Sequence, residues 1–153
     1  MNDTLLGLVG HMRWADALVA DALEGTPTPD PEAVRLFAHI ASVEHLWFSR
    51  IHGRTPCHAV WPALLPAESR TVASEHADLF ERLVRGADTD ALTRVVDYRN
   101  SAGRDYRSTV ADIVAHTSMH GEHHRGQIAR LIRASGREPP YTDFIQYARR
   151  DRG

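Results

Sequence analysis

Four long stretches of this chain repeat apolar residues every three to four positions, a period that calls for amphipathic helices packed on one another. The first runs from about Asp3 to Leu23 and lines up Leu5, Leu8, Val9, Met12, Leu18, Val19 and Ala22 on one stripe. Gly25, Pro27, Pro29 and Pro31 then interrupt it, because glycine caps a helix and proline cannot continue one. The second begins with Asp30 as cap and Pro31 at the first helical position, and reaches about Ile51. The third spans about Ala67 to Arg85, with Val72, Leu79, Phe80, Leu83 and Val84 inward. The fourth opens on Thr109 and Asp112, spaced as a capping box, and runs to about Ser135, where Gly136 ends it.

The connections are equally informative. His52 to Pro66 contains Gly53, Pro56 and Pro62 and reads as a loop, long enough in a compact domain to suggest a functional role. Leu92 to Arg107 reads as a short hairpin or an irregular arm around Asn100, Ser101, Ala102 and Gly103. Pro139 and Pro140 precede a short last helix over Tyr141 to Arg150. The expectation is one domain over residues 1–153, all-α, built as a four-helix bundle with a short C-terminal helix.

Composition narrows the setting. With 42% hydrophobic and 25% charged residues, the chain resembles an ordinary soluble globular protein. No run approaches the ~20 apolar residues of a membrane span, and the start reads as an amphipathic helix rather than a secretory signal. A single cysteine, Cys57, excludes an internal disulfide framework and points to a reducing cytoplasm. A net charge of -2 argues against a nucleic-acid partner, which would call for a basic face.

Ten histidines are the more unusual figure, and His116, His120, His123 and His124 crowd one segment of the fourth helix. Helical angles sort them. With Leu36 as origin and about 100° per residue, His39 falls at about −60°, beside the stripe of Ile40, Val43 and Trp47, whereas His45 falls at about 180°, on the exterior. On the fourth helix, with Val110 as origin, His124 lies at about −40° and His120 at about −80°, while His116 and His123 turn progressively outward. His120 and His124 are also four apart, so their rings share one face. Two histidines at this spacing can close on one ion, as in zinc-binding helices. His39, His120 and His124 are therefore the expected ligands of one divalent metal, with zinc or nickel foremost and iron or copper as alternatives. Three protein ligands leave a position open, as catalytic sites do.

The neighbours invite weaker readings. Glu44 and Glu122 could orient imidazoles, although solvated surface positions suit both better. Trp14 and Trp47 read as core, and Trp61, in the long loop, as a pocket residue. Cys57 followed by His58 suggests a nucleophile, but adjacent side chains diverge, and a bystander thiol is the plainer reading. No catalytic residue beyond the metal ligands is assigned.

Arg13-Trp14-Ala15-Asp16, His39 to Trp47, His120-Gly-Glu-His-His-Arg-Gly-Gln127 and Thr142-Asp143-Phe144-Ile145 together resemble the DinB-like (DinB/YfiT) family, in order and over nearly the whole chain. The resemblance implies an up-down-down-up four-helix bundle, often a homodimer, with a metal on His39, His120 and His124. His116 matches a position where members often carry a further histidine near the site. Related families include transferases that use low-molecular-weight thiols such as bacillithiol, mycothiol or glutathione, with the metal activating the thiol toward an electrophile. The family name derives from damage-inducible expression and does not imply DNA binding. The resulting expectation is a metal-dependent thiol S-transferase acting on small electrophiles in stress or detoxification. The alternatives are a hydrolase using metal-activated water and a non-catalytic metal-binding stress protein.

Overall fold

The computed structural model describes residues 2–100 and 102–150. Among the described residues, six helices and one two-stranded ribbon follow in the order α1 (Asn2–Glu24), α2 (Pro31–Ile51), α3 (Pro66–Gly86), α4 (Thr89–Thr93), β1 (Val95–Arg99), β2 (Asp105–Thr109), α5 (Val110–Ala134) and α6 (Phe144–Arg149). The molecule is thus mostly helical rather than purely so. No helix among the described residues is long and apolar enough to cross a membrane.

The caps behave as their chemistry requires. Asp30 Oδ1 accepts from the Glu32 and Ala33 amides at 2.8 and 3.2 Å, with Pro31 opening α2. Thr109 and Asp112 form the reciprocal capping box of α5. The uncertain segment before α5 resolves into the short helix α4, capped by Asp88, and an antiparallel hairpin that pairs Tyr98 with Tyr106. At its turn Asn100 Oδ1 accepts from the amides of Ala102 and Arg104, and Gly103 takes a positive φ of 78°.

Side-chain pairs give the helix directions. Asn2 bonds to Ala87, Arg13 to Glu81, and Arg70 to Asp21 and Glu24, so α1 runs antiparallel to α3. His45 meets His76 and Phe48 meets Phe80, so α2 and α3 run parallel. His39 meets His124 and Trp47 meets His116, so α2 and α5 are antiparallel, while Asp16 and Arg125 tie α1 to α5.

The core divides in two. One cluster holds Leu5, Val9, Met12, Phe48, Phe80, Val84, Leu92, Val96, Val110 and Ile113. The other holds Val19, Leu23, Leu36, Phe37, Ile40, Ile128 and Ile132. Along each helix the polar residues Asp16, Glu44 and Arg125 fall between the two clusters and are themselves buried. Trp14 and Trp47, expected in the core, are half-buried, and Trp47 packs against the first cluster. Trp14 rests against Tyr147 of α6, and Trp47 against His116 and Tyr98, because the hairpin and the last helix cover the bundle incompletely.

A candidate metal centre on three histidines

His39 on α2 and His120 and His124 on α5 come together where these antiparallel helices pack. Their ring centroids lie 5.0 Å (His39–His120), 4.8 Å (His39–His124) and 4.5 Å (His120–His124) apart. One nitrogen from each ring falls within 4.8 Å of the other two, and among the described residues no other set of histidines, cysteines and carboxylates is so arranged. Three histidines so placed could hold a metal ion.

Hydrogen bonds prepare two of the rings. His39 Nδ1–H donates to the Val60 carbonyl at 2.8 Å, which leaves Nε2 with its lone pair. His124 Nδ1–H donates to Gln127 Oε1 at 2.7 Å, with the same result. Oriented imidazoles of this kind are the usual supports of metal ligands. His39 and His120 are also held unprotonated at neutral pH. Burial lowers the pKa of His39, and His124 and Arg35 add to the effect against the bond to Val60. Burial, followed by His124, His39, His116 and His123, lowers that of His120 to about 3.

The long loop forms the wall of this centre. Trp61 stacks on His39 with centroids 3.7 Å apart and planes 7° from parallel, and Arg35 lies 4.1 Å above the indole. Trp61 remains 45% exposed, so it bounds the site without sealing it. The Ser42 hydroxyl donates to the Ala59 carbonyl and fixes the same stretch to α2. His116 is the next ring along α5, 6.0 Å from His120, and stacks edge-on against Trp47.

One reading of the glutamates needs correction. Glu44 is not a surface residue: it is 1% exposed, and neither carboxylate oxygen has a hydrogen-bond partner. Burial, then the Asp16 carboxylate, raises its pKa well above the ordinary value, with Arg125 opposing. Arg125, 1% exposed, donates to Asp16 Oδ1 at 2.8 Å, and the Asp16, Glu122 and Glu44 carboxylates outweigh the effect of burial on its charge. Glu122 is half-exposed and lies against Arg125 and His11. Position 121 is glycine for a steric reason, since a Cβ there would stand 2.7 Å from Arg125 Nη1. The network was foreshadowed by spacing. Asp16 sits in line with Met12 and Val19, Glu44 with Ile40 and Phe48, and Arg125 with Gly121 and Ile128, so each charge occupies a stripe position.

His45 also departs from expectation. It is half-buried rather than exterior, with Nδ1 3.0 Å from His76 Nε2. The helix α2 packs on α3 as well as on α5, and a single apolar stripe does not reveal the second interface.

The family motifs have physical roles here. His11 Nε2–H donates to the Thr142 carbonyl at 2.6 Å and packs edge-on against Phe144, so the C-terminal Thr-Asp-Phe-Ile stretch is latched to α1. The model of the DinB family matches residues 1–152. The chain is also similar to Protein DinB of Bacillus subtilis (strain 168), 23% identical over 163 residues, which covers 96% of this chain and 95% of that protein. With its histidine triad, its motifs on α1, α2, α5 and the C-terminal stretch, and a family model matching nearly its whole length, the chain belongs to the DinB family.

Proposed function

We propose that this protein is a metal-dependent transferase that moves a low-molecular-weight thiol onto small electrophiles. The observation that carries the reading is the convergence of three imidazoles, with no fourth protein ligand beside them among the described residues. Such a donor set fits a divalent ion of the zinc or nickel kind, with iron or copper as alternatives, and leaves room for a further ligand. An ion held by His39, His120 and His124 would supply the positive charge that favours the thiolate form of a bound thiol.

The chain's own residues do the rest. Val60 and Gln127 keep the His39 and His124 rings in one orientation and tautomer. Trp61 shields one face of His39 from water and offers an apolar surface to an electrophile. The helix directions agree with the up-down-down-up four-helix bundle implied by the family resemblance, which also suggests a cytoplasmic homodimer serving stress or detoxification.

Elemental analysis of untagged protein, wild type beside a His39/His120/His124 triple-alanine variant, tests the centre. The expected result is about one equivalent of metal in the wild type and none in the variant. A screen of thiols against electrophiles then tests the reaction. Turnover that proceeds without any thiol would replace transfer with hydrolysis, and metal binding without turnover would leave a structural ion.

A further inference from the structure

A second group of reactive side chains gathers on the other side of α2, drawn from α2, the long loop and α3. His76 Nδ1–H donates to the Val72 carbonyl at 2.7 Å, so His76 Nε2 carries a lone pair. That nitrogen accepts from His45 Nδ1–H at 3.0 Å, which makes His45 Nε2 the unprotonated nitrogen of its ring. His45 Nε2 in turn faces Cys57, accepting from its backbone amide at 2.9 Å and lying 3.4 Å from its Sγ. His58 packs edge-on against His45 with centroids 4.9 Å apart and completes the enclosure. Burial, followed by His76 and His58, keeps the His45 pKa below its ordinary value, so the lone pair is present at neutral pH. A thiol, a base within reach of it and a third group that orients the base form the arrangement that activates nucleophiles. The thiol is exposed, so a small molecule can reach it. These donors do not meet the spacing of an ion site, unlike those around His39.

We propose that Cys57 is a modification site: its thiol, with His45 as base and His76 as the residue positioning that base, exchanges with low-molecular-weight disulfides. His45 Nε2 takes the Sγ proton as the sulfur attacks one sulfur of the disulfide RS–SR. The Cys57 Sγ–S bond forms, the RS–SR bond breaks with its electron pair on the departing sulfur, and His45 returns the proton to that thiolate. The balance is Cys57–SH plus RSSR giving Cys57–S–SR plus RSH. The chain has one cysteine, so no second thiol of the same chain reverses the step, and reversal needs an external thiol. The modified loop is the one whose Val60 carbonyl holds His39 and whose Trp61 stacks on it. The proposal does not depend on the metal reading.

The test is the rate at which glutathione disulfide adds to the purified full-length protein, followed by intact mass at neutral pH. The native chain should react about a hundredfold faster than a His45→Gln variant, the lower range of what a positioned base contributes. It should exceed its own urea-unfolded form by a similar factor. His76→Gln, which keeps an acceptor for His45 Nδ1–H, should retain most of the rate, whereas His76→Leu should lose it. A native rate no higher than the unfolded one, or an unchanged rate in a folded His45→Gln variant, would overturn the proposal. Equal rates in the two His76 variants would remove His76 from it. Should His45→Gln fail to fold, the native-against-unfolded comparison decides alone.

Discussion

At the scale of single residues, the molecule separates histidines by what their second nitrogen does. His39 and His124 hand one N–H to a carbonyl oxygen and turn the other nitrogen toward His120. His45 spends both nitrogens on His76 and Cys57. His124→Ala should therefore abolish metal binding while His45→Ala retains it, and equal metal content in the two purified proteins would refute the assignment. The buried carboxylates make a second contrast. Glutamine keeps the shape of glutamate without the charge that burial and Asp16 both disfavour, so Glu44→Gln should preserve or raise the melting temperature at neutral pH. Asp16→Ala should instead cost about 3–5 kcal/mol in urea denaturation, because it leaves Arg125 as a buried charge without its closest partner.

At the scale of elements, the long loop and α5 shape the candidate centre together. The loop is anchored to α2 through Cys57, Ala59, Val60 and Trp61 against His45, Ser42 and His39, so its length creates a wall rather than slack. In α5 one helical face carries His120 and His124 while the adjoining face carries Gly121 and Arg125 into the polar layer. Gly121→Ala would crowd the Arg125 guanidinium and force it off Asp16. We expect a loss of about 1–3 kcal/mol, typical of overpacking, with the metal equivalent retained since neither histidine moves to another face. Denaturation and elemental analysis on the same sample check both parts.

At the scale of the whole molecule, acid should act through the buried imidazoles. His120 has an ordinary value of 6.5 and a folded value of about 3, so below pH 6.5 the unfolded chain binds the proton that the folded one resists. His39, His45, His76 and His116 are lowered in the same sense, each chiefly by burial. Their contribution is fully present above pH 6.5 and is lost progressively as pH falls, for His120 down to about 3. Glu44, shifted upward, works the other way, favouring the folded state at acid pH and losing that contribution as pH rises through its folded value. Five imidazoles against one carboxyl favour a net decline. The melting temperature of metal-free protein should hold above pH 7 and drop between about pH 6.5 and 4. Added zinc should raise it at pH 7.5 by binding the folded state alone, and much less at pH 4.5. An acid-insensitive melting temperature would count against the buried, neutral state of these rings.

Sequence by itself determined the four long helices, their caps and the identity of the clustered histidines, because periodicity and capping are local and each ring's direction follows from its own helix. It also carried the family, through motifs that the structure explains as a latch, a polar layer and a triad. Tertiary structure alone decided which faces meet. Glu44 reads from the sequence as a solvated position, whereas the structure buries it beside Asp16 and Arg125. His45 looked exterior until α3 covered its side of α2, and Cys57 looked like a bystander until the loop folded back onto that imidazole. A helix carries the angle of each of its side chains within itself, but what lies opposite that angle belongs to segments far away in the chain.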